Sequence, residues 1–122
     1  MSSSQVPTTL VADLATGLWR LRQRFLDAAG QPLDALRRPL RDVDMLLSRL
    51  REEEIEIQDH TGQEYDPSLS LRVAAFQPLP GVERDRILET LKPTVYHHQQ
   101  RIQVGEVIVA IPEDRGKGGR DA

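Results

Sequence analysis

The sequence of 122 residues has few of the side chains that usually build a large core or a reactive site. It contains no cysteine, one tryptophan, two phenylalanines and two tyrosines. Without cysteine the chain forms neither disulfides nor thiolate metal sites. Because aromatic residues are scarce, leucine, valine and isoleucine must fill a modest core. The length therefore fits one small domain with a helical extension.

The sequence also lacks a strong charge of either sign and a long apolar run. Its formal net charge is -3, which argues against a nucleic-acid partner because phosphate backbones are bound by basic surfaces. No run reaches the roughly 18 apolar residues of a membrane-spanning helix. The first residues lack the basic and apolar stretches of a secretory signal. We therefore expect a cytoplasmic protein with no nucleic-acid or membrane partner.

Two amphipathic helices are predicted in a helical region at residues 9–53, after a disordered lead at residues 1–8. Pro39 fits the first turn of the second helix. Apolar residues recur at steps of three and four, as they do along one face of a helix. They are Leu10, Leu14, Leu18, Leu21 and Phe25 in the first helix, then Leu36, Leu40, Val43, Leu47 and Leu50 in the second.

At Glu54 the apolar pattern changes from helical steps to the alternation typical of strands. Short apolar stretches follow, bounded by proline, glycine or polar residues; they are residues 55–57, 69–76, 86–91, 94–96 and 107–111. Helices followed by strands predict an α+β fold. We expect two N-terminal helices, a compact β-domain at residues 54–113 and a disordered tail at residues 114–122.

No group of residues points to catalysis. His97 and His98 would face opposite sides of a strand, and His60 falls in a solvated turn, so the histidines do not converge on a metal. The acidic residues near that turn lack the spacing of a calcium loop. Neither a nucleophile elbow nor a phosphate loop occurs. We therefore expect no enzymatic activity, no cofactor and no metal, and interpret the chain as a binding module.

Several stretches of the C-terminal half form a recognisable pattern. Ile55-Glu56-Ile57 is followed by Gly62-Gln63-Glu64-Tyr65-Asp66-Pro67 and by Leu69 to Val73. Ile87 to Leu91 and Gln100 to Val109 come later. In order and spacing, these stretches resemble the β-domain of GrpE, the nucleotide-exchange factor of DnaK-type heat-shock chaperones. They are similar to its G-x-x-F-D-P turn, its V-x-x-V-L strand and its G-R-x-x-R-P-A-x-V-x-V ending.

The chain departs from the GrpE pattern in two short segments and at its N-terminus. Gln103-Val104-Gly105 stands where the family has Arg-Pro-Ala, and Pro93-Thr94-Val95-Tyr96 replaces a Gly-Tyr pair. Only about nine residues precede the first helix, so the long N-terminal helix of GrpE is not expected. The resemblance is therefore to a divergent, short form.

The resemblance implies a protein that binds the ATPase domain of a DnaK-type chaperone and promotes release of ADP. Such a protein binds the open state of the ATPase better than the closed state. The implied contact residues are Tyr96, Arg101, Ile102 and Val109 on a final hairpin, with Asp66 shaping the neighbouring turn. Arginine and tyrosine are favoured at interface centres. Ile102 and Val109 fit the core of the domain equally well.

The two helices would correspond to the region that dimerises GrpE. Their stripes either pair with a second copy or pack on each other and on the β-domain. We expect a homodimer held by Leu14, Leu18, Phe25, Leu40, Val43 and Leu47. An alternative interpretation is a non-catalytic adaptor or assembly protein, which uses the same β-domain to bind another ATPase or partner without exchange activity.

Overall fold

The computed structural model describes residues 6–114, which contain two α-helices and six strands. This confirms the predicted α+β class. The helices are α1 (Thr8–Arg24) and α2 (Arg37–Glu52), with a short 3-10 helix at Asp34–Leu36 before α2. The strands are β1 (Ile55–Gln58), β2 (Arg72–Leu79), β3 (Arg86–Lys92), β4 (Thr94–His97), β5 (Gln100–Gln103) and β6 (Glu106–Pro112).

The two expected disordered segments fall mostly outside the described residues. Residues 1–5 of the lead and residues 115–122 of the tail lie there. Within the described part, Thr8 already belongs to α1, so the helical region begins one residue earlier than predicted. Pro39 lies in the first turn of α2 as predicted, where its missing N–H has no intrahelical partner to lose.

The strands form two three-stranded sheets, one with the order β1-β4-β5 and the other with the order β2-β6-β3. In the second sheet β2 is parallel to β6, and β3 is antiparallel to it. The chain divides into two compact units. The first holds the residues up to 57 together with Val95–Gln103, and the second holds residues 58–94 and those from 104 onward. This division cuts across the expected β-domain at residues 54–113.

The core of the first unit lies where α1 meets the β1-β4-β5 sheet. Its buried residues are Val11, Ala15, Ile55 and Val95, and Leu50, Ile57 and Ile102 pack against them. Alternation along β1 turns its two isoleucines toward this core and Glu56 toward solvent. The helices are joined by a salt bridge of 2.7 Å between Arg22 and Asp44. The hairpin of β4 and β5 is thus backed by packed side chains.

The core of the second unit lies on one face of the β2-β6-β3 sheet. Ile87, Val107 and Val109 are buried there, and Tyr65, Leu69, Leu71, Val73 and Ile111 pack against them. β2 begins three residues later than the predicted stretch at 69–76. The first three residues of that stretch lie outside the strand. Leu69 closes the turn at Asp66, and the Leu71 N–H donates a backbone hydrogen bond of 2.8 Å to the Leu69 carbonyl.

We predict that the contact between α1 and its sheet tolerates no larger side chain at Ala15. This residue is 0% exposed, so Ala15→Leu should lower the free energy of unfolding by about 1–3 kcal/mol through overpacking. Asp13→Leu adds the same side chain at an exposed position of α1 and should change stability by no more than about 0.5 kcal/mol. Urea unfolding measures both. Equal stability of the two variants would contradict this account of the core.

Candidate partner-binding surface

The β4–β5 hairpin brings together two of the residues that the sequence singled out. Tyr96 lies directly opposite Arg101 in the antiparallel pairing, and opposed residues on neighbouring strands project from the same face. Tyr96 is half-buried and Arg101 is exposed. The adjacent pair of Val95 and Gln103 packs on the helical side, where Val95 is part of the core. We call the outward surface the Tyr96–Arg101 face.

Ile102 sits on the same hairpin but is turned toward the core. The register shifts between Val95 and Tyr96, so Ile102 is the extra, unpaired residue of a β-bulge. It is half-buried and packs against the core of the first unit. Its side chain therefore adds to the stability of the hairpin, and only part of it is accessible to a partner.

The prediction that Val109 is an exposed contact residue is wrong. It is 0% exposed because β6 is the central strand of its sheet, and its alternate residues face the second core. The final hairpin expected over residues 100–109 does not form either. β5 pairs with β4, whereas β6 pairs with β2 and β3. The candidate surface is therefore limited to the β4–β5 hairpin.

Asp66 shapes a turn, as expected from its place before Pro67. Its carboxylate accepts a hydrogen bond of 2.7 Å from the backbone N–H of Ser68, and the Leu69 N–H donates to its carbonyl. Hydrogen bonds from the Ser68 backbone N–H and hydroxyl hold the pKa of Asp66 below its ordinary value. The carboxylate is exposed to solvent, so its main visible role is local.

The residues expected at a dimer interface differ in accessibility. Leu40 and Val43 are buried within the protomer, so they belong to its core and not to an exposed surface. Leu18, Phe25 and Leu47 are half-buried, whereas Leu14 is 52% exposed. The large exposed apolar residues of α1 are Leu10, Leu14 and Leu21. Steps of four and seven place these three on one face of the helix.

His97 and His98 differ from the expected arrangement on opposite faces of a strand. β4 ends at His97, and His98 with Gln99 forms the two-residue turn to β5. The two imidazole rings stack with their centroids 4.3 Å apart and their planes at 23°. Stacked rings do not converge on one ion. Within residues 6–114, no group of three or more histidine or acidic side chains is placed to hold a metal.

His60 is not a solvated turn residue, which corrects the expectation from sequence. It is 8% exposed, and its Nε2 lies 2.8 Å from the Thr94 hydroxyl oxygen. Its Nδ1 lies 3.1 Å from the side-chain oxygen of Gln63. The Gly105 N–H donates a hydrogen bond of 3.1 Å to the Thr94 hydroxyl. We call this group the His60–Thr94 network.

The His60–Thr94 network resembles the hydroxyl–imidazole–acceptor order of a nucleophile and its base. Thr94 is only 3% exposed, however, so its hydroxyl is closed to a substrate in this conformation. The polar atoms of the network are instead hydrogen-bonded to one another, as buried polar groups usually are. Thirty-four residues separate His60 from Thr94, and no spacing motif in the sequence signals their contact. The network links three segments of the second unit that are distant in sequence.

Gly105 is required by this network. A Cβ atom at this position would lie 2.6 Å from the Thr94 hydroxyl oxygen and 3.2 Å from the His60 ring. The alanine of the GrpE pattern would therefore collide with Thr94. Gln103, which stands where the GrpE pattern has arginine, donates a hydrogen bond of 2.8 Å from its side-chain amide to the Thr16 hydroxyl.

A surface cavity of the second unit shows no preference for one class of ligand. Its volume is about 310 Å³, and it is lined by Glu64, Gly81, Val82, Glu83, Arg84, Asp85 and Arg86. Acidic and basic side chains alternate around it, and Arg84 forms a salt bridge of 3.6 Å with Glu64. These charges largely neutralise each other, so the cavity does not favour an ion of either sign.

No protein-family model and no curated protein sequence matches this chain. The resemblance to GrpE therefore rests on the residues quoted from the sequence. In the part of the chain that the structure describes, neither helix has the length and apolar character needed to cross a membrane.

We predict that Gly105→Ala lowers the free energy of unfolding by about 1–3 kcal/mol, because the new methyl group overpacks the site. Thr94→Ala removes the oxygen that the methyl group would strike, at the cost of leaving buried groups without a partner. Adding Gly105→Ala to Thr94→Ala should therefore cost less than adding it to the wild type. A double-mutant cycle in urea should give a coupling of about 1 kcal/mol or more. Additive effects would show that the two residues do not collide.

Proposed function

We propose that this chain is a GrpE-like co-chaperone that binds the ATPase domain of a DnaK-type chaperone and promotes release of ADP. The observation that carries the proposal is the direct pairing of Tyr96 with Arg101 on one outward face. These two residue types are enriched at the energetic centres of protein interfaces. The family resemblance implicates both residues, and it supplies the identity of the partner.

Support for the Tyr96–Arg101 face as a binding surface also comes from what lies behind it. Val95 on β4 is buried against α1 together with Ala15, and Ile102 packs against the same core. A rigid surface loses little conformational freedom on binding, so more of the contact energy is available for affinity. If the face fits the open ATPase better than the closed one, binding shifts the ATPase toward the open state and ADP leaves. The mechanism needs no catalytic residue, enzymatic activity or cofactor.

The proposal includes a cytoplasmic homodimer that pairs through α1. Leu10, Leu14 and Leu21 are exposed along one face of this helix. Water-exposed leucines on one stripe are typical of a helix that packs against another element. Neither nucleic acid nor a membrane is proposed as a partner.

A second candidate function is favoured by the internal use of the altered family turn. Where the GrpE pattern has an arginine, this chain has Gln103, whose side-chain amide is bound to Thr16. A contact that the arginine would make with a chaperone is therefore absent. An adaptor that binds a chaperone or another ATPase without accelerating exchange fits this difference.

We expect the full chain to accelerate release of fluorescent ADP from a DnaK-type chaperone of the same organism in stopped-flow measurements. Arg101→Ala and Tyr96→Ala should each weaken the apparent affinity about tenfold or more, because truncation of an interface hot spot costs at least about 1.4–2 kcal/mol. Arg38→Ala is a matched control. Arg38 is an exposed arginine near the start of α2 and is not part of the β4–β5 hairpin.

The stopped-flow experiment separates the two candidate functions when binding is measured in parallel. Binding with faster ADP release supports the co-chaperone, and binding without acceleration supports the adaptor. The co-chaperone proposal fails if saturating protein leaves the rate of ADP release unchanged with every DnaK-type chaperone of that organism. An equal loss from Arg38→Ala and Arg101→Ala would exclude the Tyr96–Arg101 face as the specific contact.

The proposed homodimer is tested by a charge on the exposed stripe of α1. Leu14→Asp should convert a dimer into a folded monomer, because an aspartate in an apolar interface must lose its hydration. Leu33→Asp provides the control, since Leu33 is exposed in the connection between the helices. Sedimentation equilibrium gives the mass, and circular dichroism verifies folding. A monomeric wild type at the concentration used in the exchange assay would refute the dimer.

A further inference from the structure

The exposed apolar face of α1 contains an open space as well as leucines. Leu10, Leu14 and Leu21 are 47%, 52% and 38% exposed, and Gly17 is exposed between them. A Cβ atom added at Gly17 would meet nothing within 4 Å in the described part of the chain. Glycine weakens the interior of a helix relative to alanine, so this residue points to a contact made outside the protomer. We call these four residues the α1 stripe.

The α1 stripe lies on the side of the helix that faces away from its own core. The buried residues of α1 are Val11, Ala12, Ala15 and Thr16. At about 100° per residue, the stripe spans about 60°, and its centre lies about 160° from the centre of the buried residues. The β4–β5 hairpin packs on the buried side through Val95 and through the hydrogen bond from Gln103 to Thr16. Another molecule can therefore cover the stripe without displacing the hairpin.

The charges beside the α1 stripe change sign along the helix. Asp13 lies in the N-terminal half, and Arg20 and Arg24 lie in the C-terminal half. All three side chains are exposed, and the helical period places them on the same flank of the stripe. One flank of α1 is therefore acidic near its beginning and basic near its end.

The second helix extends the same separation of charge. Residues 37–41 at the start of α2 include three arginines, whereas residues 52–56 at its end include four glutamates. Leu50 packs against the cluster that contains Val11, so the end of α2 lies beside the beginning of α1. Both helices thus contribute arginines to one end of the helical hairpin and acidic residues to the other.

We propose that two copies of this chain pair through the α1 stripe in antiparallel orientation, with Leu14 of each protomer packed on Gly17 of the other. The inference rests on the proposed function, because it specifies the geometry of the homodimer included there. In a twofold-symmetric pair each contact occurs twice. The register that joins Leu14 to Gly17 also joins Leu10 to Leu21, because both pairs are centred on the same point of the helix.

Charge and shape both favour this orientation over a parallel one. In the antiparallel pair the same flank of each helix faces its copy, and Asp13 lies within about 3 Å along the axis of Arg20 of the other protomer. The arginine-rich end of each protomer then lies beside the acidic end of the other, and such complementarity fixes the orientation of an interface. A parallel pair would bring like charges together and would place Gly17 opposite Gly17.

The absence of cysteine from the chain makes disulfide cross-linking a direct test of the orientation. Leu10→Cys and Leu21→Cys, one of them carrying a mass tag, are mixed and oxidised. The disulfide between the two variants should predominate. Identical positions lie about 16 Å apart along the axis of an antiparallel pair, too far for a disulfide, whose Cα atoms lie within about 7 Å. Leu33→Cys, at an exposed position outside α1, is the control for random collision.

A second test fills the open space at Gly17. Gly17→Leu should weaken dimerisation about tenfold or more, because the new side chain displaces Leu14 of the other protomer. Leucine also favours the helix more than glycine does, so the thermal stability of the protomer should not fall. Gln23→Leu adds the same side chain at an exposed position of α1 outside the stripe and should leave dimerisation unchanged. Sedimentation equilibrium measures all three proteins.

Disulfides formed mainly between identical variants would overturn the antiparallel orientation and leave the homodimer in place. Dimerisation of Gly17→Leu as tight as that of the wild type would overturn the packing of Leu14 on Gly17. A monomeric wild type, with no more disulfide than Leu33→Cys gives, would overturn both this inference and the dimer of the proposed function. Chaperone binding and ADP release are measured separately, so they decide the co-chaperone activity whichever orientation is found.

Discussion

Close packing of α1 against the β1-β4-β5 sheet is the constraint on which the candidate surface depends. The helix approaches the sheet at Ala15, where the side chain is a single methyl group with no exposed area. Val11 on the same helix meets Ile55 and Val95 in one buried cluster. Because β4 and β5 bury one face in this contact, their other face is presented to solvent with Tyr96 and Arg101 side by side. The proposed function uses the face of the hairpin that carries Tyr96 and Arg101.

The second unit depends on polar contacts as well as on its apolar core. The apolar side chains that meet there are mostly of moderate size, and Ile87 is the largest that is fully buried. The His60–Thr94 network adds directional contacts among residues that are distant in sequence. The requirement for glycine at position 105 follows from the position of the Thr94 oxygen. Local packing therefore accounts for the glycine that stands where the GrpE pattern has alanine.

The end of the β4–β5 hairpin differs from the two cores because its backbone is strained. The cores lower the free energy by burying apolar side chains in unstrained conformations, whereas the hairpin end keeps Glu54, His98 and Gln99 in a conformation that L-amino acids disfavour. The contacts between Glu54 and His98 offset part of that strain.

The sequence by itself determined the class of fold and the approximate place of most elements. The change from steps of three and four to alternation at Glu54 reflects local backbone geometry, so it predicted two helices followed by strands. It also placed Pro39 in the first turn of α2. Tyr96 and Arg101 were identified by residue type and resemblance. The tertiary structure alone decided that they lie opposite each other, that Val109 is buried, and that β5 and β6 join different sheets. The burial of His60 and the need for Gly105 were likewise invisible in the sequence, since strand pairing and side-chain contacts between distant residues depend on how the whole chain packs and not on local periodicity.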